Sequence, residues 1–213
     1  SENYLTYTRE LGKGDLTVLA GYSYQKNVRE QSTAAGFGFI SDSFSYYALD
    51  KATGLLQPTS SLQEYEIQSQ FGRINYDFDD KYLLTATVRR DGASNFAANH
   101  KYAIFPSAAV GWKISNENFL KENETISNLK LRASYGLTGN PSISPYESLA
   151  KLASIYASSN GQTVNAITTD QAANPNLKWE TSYQTNIGID AGLFNGDITM
   201  SLDYYTIDTK DLI

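Results

Sequence analysis

Two stretches toward the C-terminal end of the chain carry an apolar residue at every second position, with polar or small residues between. Over 129–138, Leu129, Leu131, Ala133, Tyr135 and Leu137 alternate with Lys130, Arg132, Ser134, Gly136 and Thr138. Over 197–205, Ile198, Met200, Leu202 and Tyr204 alternate with Asp197, Thr199, Ser201, Asp203 and Tyr205. Successive side chains of a strand point to opposite faces, so each stretch has one apolar and one polar face. Many such segments joined by tight turns write a membrane-spanning β-barrel, apolar toward lipid and polar toward the lumen.

Alternation and turn signals predict eight strands, near 3–11, 16–28, 63–78, 82–91, 102–114, 129–138, 178–194 and 197–212. Gly12-Lys13-Gly14-Asp15, Asp79-Asp80-Lys81 and Asn195-Gly196 join three pairs. Asn195-Gly196 is the strongest hairpin signal, since Asn-Gly accepts the positive φ angles of a type I′ turn. The segments 29–62 and 139–177 are long, polar and poorly periodic, and 92–101 is a shorter loop. Short and long connections therefore alternate, as they do in an up-and-down transmembrane barrel with long outer loops. The connection 115–128 is longer than that rhythm asks, and its start, Ser115 to Leu120, reads as a capped helical turn.

The faces segregate charge. Arg89, Lys113, Lys130, Arg132, Asp190 and Asp203 all fall on polar faces. A charge on the lipid face near the midplane costs about 2–4 kcal/mol, which explains the segregation. Leu129, Leu131, Ile187, Ile189, Ile198, Met200 and Leu202 are expected to face away from the lumen. In 63–78 the apolar phase slips between Phe71 and Ile74, which suggests a bulge or a displaced boundary.

Composition narrows the function classes. The chain has 213 residues and a net charge of −6, with no basic stripe for nucleic acid. It has no Cys, which excludes disulfides, thiolate catalysis and Cys-ligated metals. No run of about 18 apolar residues is present, so no transmembrane helix is expected. A mean hydropathy of −0.40 remains compatible with barrel strands, whose signal is weaker. Tyr outnumbers Phe by 16 to 9, as suits a membrane boundary, where an apolar ring keeps a wet tip. Tyr76, Phe78, Tyr82, Tyr204 and Tyr205 are expected in such a girdle near strand ends, with the core of a soluble sandwich as the alternative.

No catalytic set emerges, and no cofactor is implied. His100 is the one histidine and lies in a polar loop, where a solvated surface role explains it. Asp77, Asp79 and Asp80 lack the Gly and distal Glu of a calcium loop, and Asp favours turns by itself, so no metal site is expected. Asn123-Glu124-Thr125 matches a glycosylation acceptor, a pattern too short to carry weight. Tyr46, Tyr47, Tyr146, Tyr156 and Trp179 lie in or beside the long loops, where they either pack the loops or stack on a sugar ring.

Four linked motifs resemble the SusC/RagA family of TonB-linked outer-membrane transporters. The first runs from Phe71-Gly72-Arg73-Ile74-Asn75-Tyr76 through Asp79-Asp80-Lys81-Tyr82 to Arg89-Arg90-Asp91-Gly92. The second is Phe105-Pro106-Ser107-Ala108-Ala109-Val110-Gly111-Trp112 and continues to Glu117. The third lies between Ile126 and Asn140, around Leu129-Lys130-Leu131-Arg132-Ala133-Ser134-Tyr135-Gly136. The fourth is Asn174-Pro175-Asn176-Leu177-Lys178-Trp179-Glu180-Thr181, followed by Asn186-Ile187-Gly188-Ile189-Asp190. The resemblance covers about 63–213; residues 1–62 fit as a preceding hairpin and loop.

The resemblance implies a place in the cell outer membrane, within a barrel of ~22 strands around an N-terminal plug. It implies import of glycans or peptides, driven by TonB, beneath a SusD-like lipoprotein lid. No plug, TonB box or terminal aromatic strand is seen in the sequence, so residues 1–213 are expected to be an internal section of the barrel domain's C-terminal half. Loops 29–62 and 139–177 would form the outer rim. Arg90, Asp91, Asn95, Tyr146 and Trp179 are the expected contacts to solute or lid, although a simple turn at Asp91-Gly92 would equally explain that pair. The competing class is a soluble β-rich carbohydrate-binding module, which accounts for the loop aromatics but not for long strands with uncharged apolar faces.

Overall fold

The computed structural model describes residues 1–212, excluding the side chains of Asp42, Phe44, Ser45 and Tyr46; the loop aromatic Tyr46 thus lies outside the described residues. Twelve strands occur among them: β1 (Glu2–Leu11), β2 (Gly14–Thr33), β3 (Gly36–Phe37), β4 (Gly54–Leu55), β5 (Thr59–Phe78), β6 (Tyr82–Ala93), β7 (Tyr102–Lys113), β8 (Ile126–Asn140), β9 (Lys151–Ser159), β10 (Gln162–Gln171), β11 (Glu180–Leu193) and β12 (Ile198–Lys210). Eight of them form one sheet in the order β1-β2-β5-β6-β7-β8-β11-β12, so neighbours in the sheet follow chain order. The registers given by the paired residues are antiparallel throughout. The eight strands match the eight expected from alternation. β2 and β5 run farther than expected, into the segment read as loop 29–62.

Residues 26–65 form a second compact unit. It holds the β3–β4 pair, a 3-10 helix at Asp42–Lys51, and an ion pair between Lys26 and Glu64 at 3.1 Å. Ser41 caps that helix by accepting a hydrogen bond from the Ser43 backbone N–H at 3.2 Å.

In the larger unit, residues 1–25 and 66–213, the register sorts side chains into two faces. Residues directly opposite on paired strands share a face. Leu131 faces both Trp112 and Ile189, Ile189 faces Leu202, and Ile187 faces Tyr204. Leu84 faces Val110, and Ala86 faces both Ile74 and Ala108. This apolar face is uncovered: Leu84, Val110, Ile187, Met200 and Leu202 are all exposed, Leu202 at 65%. A soluble sandwich would bury such a face under a second sheet. Among the described residues the buried apolar ones are instead Ala93, Phe96, Ala97, Phe105, Leu177 and Trp179, gathered at one end of the sheet.

Backbone bonds gather the short turns at the opposite end. Asp79 N–H donates to Lys13 O at 2.8 Å, Lys113 N–H to Lys81 O at 2.8 Å, and Phe194 N–H to Thr125 O at 2.9 Å. The aromatic rings Tyr76, Phe78, Tyr82 and Trp112 form a ladder there on the apolar face, with centroids 6.2, 6.4 and 6.5 Å apart. That is the expected girdle position for these residues. Tyr204 and Tyr205 instead lie mid-strand, opposite Ile187 and Asn186, and belong to no girdle.

Three local readings change. The phase slip in β5 is no bulge against β6, because their register is continuous from Ile67–Ala93 to Phe78–Tyr82. Phe71 simply sits on the polar face, opposite Arg89, whose guanidinium lies 5.8 Å from its ring centroid. Asn195-Gly196 is no two-residue type I′ turn: residues 194–197 make the loop, with Phe194 and Asn195 both at positive φ. Asn160-Gly161 takes that role instead, at φ 52 and 74, and closes the β9–β10 hairpin inside the segment 139–177, read as a long, poorly periodic loop. At 115–120 a 3-10 turn at Ile114–Asn116 is followed by one helical turn held by Lys121 N–H to Glu117 O, with no side-chain cap on the 3-10 turn.

Candidate functional site

The polar face carries two linked groups of side chains. Near mid-strand, Arg132 on β8 donates to Asp190 on β11 through Nε at 2.7 Å and Nη2 at 2.9 Å. Its Nη1 lies 3.1 Å from Asp203 Oδ1 on β12, and Ser201 donates to Asp190 Oδ1 at 2.8 Å. Strand pairing puts Arg132 opposite Gly188, and Gly188 opposite Asp203. A Cβ on Gly188 would lie 2.8 Å from Arg132 Nη2 and would also collide with Asp203, so glycine is what lets the three charges meet across the strand. A depression of about 260 Å³ beside this cluster is lined by Thr85, Lys130, Arg132, Ser134 and Asn186 among others. Such a surface holds fixed charges and hydroxyls toward water and offers hydrogen bonds to a polar solute.

Toward the loop end, Arg89 pairs with Asp91 at 2.7 Å and donates to Ser69 at 2.8 Å. Asp91 and Gly92 are ladder residues, opposite Ala103 and Tyr102, so the turn reading of that dipeptide does not hold. Phe105 lies against the position of a missing Cβ on Gly139. Trp179 packs on Phe96 and Phe105 with centroids at 4.8 and 5.4 Å, and its Nε1–H donates to Lys101 O at 3.0 Å. Asn95 is buried and donates from Nδ2 to Ile143 O at 3.0 Å. Trp179 and Asn95 therefore tie the loops 92–101 and 139–179 together from inside a small core. Tyr146 stands in the loop at φ 71 and is partly exposed.

Arg90 lies on the other face. It is opposite Gln70 and Ile104, on the side of Val88 and Leu84. The structure thus brings Asp91, Asn95 and Trp179 to one end and side, and separates Arg90 from them. The Arg132–Asp190–Asp203 cluster emerges only from the three-strand register, although each charge was legible as polar-facing.

The turn end has its own network. Glu117 accepts from Tyr82 Oη at 2.7 Å and Trp112 Nε1 at 3.0 Å, and lies 3.5 Å from Lys81. These hydrogen bonds, Tyr82 first, hold the Glu117 carboxyl below its ordinary range. Asp80 pairs with Lys113 and accepts from Asn116 Nδ2 at 2.9 Å, and Asp79 pairs with Lys81 at 3.1 Å. Those Asp side chains are thus occupied in ion pairs. Asn123 Oδ1 accepts from the backbone N–H groups of Thr125 and Ile126, an Asx turn that accounts for this asparagine.

An antiparallel sheet in chain order, bare on its apolar face and charged on the other, is a section of a transmembrane barrel wall. Comparison with known proteins agrees. The chain matches the family described as TonB dependent receptor-like, beta-barrel, over residues 1–213. TonB-dependent receptor P3 of Formosa agariphila is 51% identical over 213 residues, spanning 100% of this chain and 21% of that protein. TonB-dependent receptor SusC of Bacteroides thetaiotaomicron is 36% identical over 214 residues, with 99% and 21% covered. The solved RagAB peptide transporter superposes with a TM-score of 0.85 at 31% identity, covering 99% of this chain and 23% of that one. The chain belongs to the TonB-dependent receptor-like β-barrel family. Its place is the outer membrane, and it is barrel wall rather than enzyme. It spans about a fifth of the length of the curated relatives it matches.

Proposed function

We propose that residues 1–213 are part of the barrel domain of an importer for glycans or peptides, worked by TonB and lidded by a SusD-like lipoprotein. The plug and the TonB-contacting segment belong to other parts of the parent receptor. The observation that carries this reading is the Arg132–Asp190–Asp203–Ser201 cluster, fixed charge and hydroxyl directed away from the lipid face. The likeness to SusC and to a structure titled as a peptide transporter supports the solute classes.

In this reading Asp91, with its partner Arg89, and Tyr146 meet the solute or lid. Asn95 and Trp179 act by positioning the loops, and Arg90 faces the membrane instead. The β9–β10 hairpin is the surface offered to the lid. Leu152, Tyr156 and Ile167 stand on one side of it, and each is at least 70% exposed. An isolated two-stranded hairpin is marginal in water, so a partner surface would stabilise it.

Deleting 151–171 from the complete receptor tests this. The expected result is weaker co-purification of the lipoprotein and slower uptake, with the barrel still folded. Normal co-purification together with unchanged growth on the cognate nutrient would remove the hairpin from the mechanism.

A further inference from the structure

Arg90 is the one charged residue that β6 and β7 place on the apolar face. Along β6 and β7 that face reads Leu84, Ala86 and Val88 beside Ile104, Pro106, Ala108 and Val110. The Tyr82–Trp112 pair marks its lower edge. Arg90 stands eight residues above Tyr82 and Gly92 ten, roughly 26 and 33 Å along the strand at about 3.3 Å per residue. With a strand tilt near 40° these become heights of about 20 and 25 Å, the far edge of an apolar band about 25 Å tall. Arg90 therefore sits at the outer membrane boundary, where a guanidinium is tolerated and lipid head groups lie.

Its surroundings hold it ready. The guanidinium carbon lies 4.1 Å from the Tyr102 ring centroid, and Nη1 donates to Gln70 Oε1 at 3.2 Å. The Tyr102 ring occupies the space a Cβ on Gly92 would take. Gln68 Nε2 donates to the Tyr102 hydroxyl, and Tyr22 donates to Gln68 Oε1 at 3.2 Å. Among the described residues no carboxylate pairs with Arg90. Glu66 shares the face but lies two positions beyond Gln68, farther from the apolar band. The guanidinium carries five N–H donors in a planar fork suited to phosphate, and one of them is engaged by Gln70.

We propose that Arg90, Tyr102 and Gln70 form a seat for the phosphate of a lipid head group on the outward face of the barrel. The acyl chains of that lipid run down over Val88, Ile104 and Val110. Free inorganic phosphate shares the charge but has nothing to lay on that apolar surface, so the chemistry favours the lipid.

The complete receptor, reconstituted in phosphatidylcholine nanodiscs doped with monophosphoryl lipid A, tests the proposal by quantitative lipid mass spectrometry of what stays bound. R90Q is expected to lower retention about tenfold, the scale of one charge-assisted phosphate contact. K121Q, at the opposite end of the barrel, should retain the lipid fully. Equal retention by wild type and R90Q, or equal retention of the dephosphorylated lipid, would overturn the site. Displacement of the lipid by millimolar inorganic phosphate would overturn the lipid as occupant. If R90Q fails to fold, R90K decides: it keeps the charge and loses the fork, so reduced retention supports the seat and undiminished retention refutes it.

Discussion

Arg132 grips Asp190 with two parallel hydrogen bonds, from Nε to Oδ2 at 2.7 Å and from Nη2 to Oδ1 at 2.9 Å, across the β8–β11 seam. The fork also reaches Asp203 one strand farther, so one side chain laces three strands on the lumen face. Both partners are about one-third exposed, so water screens the pair and its contribution stays modest. R132A and D190A should each cost about 1 kcal/mol in urea unfolding of the complete receptor. The double variant should cost less than the sum of the two. Additive losses would show that the pair does not act as a unit.

The two faces of β12 should respond oppositely to charge. L202R places a guanidinium on the lipid side and should cost about 2–4 kcal/mol near the midplane, with less heat-modifiable barrel. D203N, one residue on, should be mild because Asp190 remains to pair with Arg132. Equal losses on heat-modifiability gels would contradict the face assignment.

Gly139 is a position where a side chain has no room, since its Cβ would run into the Phe105 ring. G139V should push Phe105 off Trp179 and loosen the small core, at about 1–3 kcal/mol. Limited proteolysis should then cut within 139–179 faster than in wild type. Unchanged cleavage would mean the cluster does not hold these loops.

Acid should act at the turn end. Hydrogen bonds from Tyr82 and Trp112 depress the Glu117 carboxyl. A depressed folded-state value adds stability above the ordinary carboxylate range, and that stability is lost as pH falls through the folded value. The wild-type receptor should therefore lose stability below about pH 4 in a way E117Q does not share. Matching acid profiles for the two proteins would exclude this role.

The eight sheet strands were legible because one face is bare and the other charged, which keeps the period of two visible along each. The β9–β10 hairpin was not, since Ser154, Ser158, Thr163, Thr168 and Thr169 blur its alternation; Asn160-Gly161 was its one clear signal. The Asn195-Gly196 reading failed because Phe194 also takes positive φ and widens the loop. Arg90 and Asp91 are adjacent in sequence, and a shared rim position hid that adjacent strand residues face opposite ways. Trp179 looked available to a ligand from its loop flank, yet its partners Phe96 and Phe105 come from distant segments that only the fold unites.

Single-cysteine variants along 198–205, in a receptor otherwise cleared of cysteine, test the wall assignment most directly; residues 1–213 contain none to remove. Spin labels would be read in the membrane-embedded receptor for collision with oxygen and with a water-soluble nickel chelate. Labels at Ile198, Met200, Leu202 and Tyr204 should favour oxygen, and those at Thr199, Ser201, Asp203 and Tyr205 should favour nickel, giving a period of two. Uniform nickel access along the whole strand would contradict a lipid-facing wall.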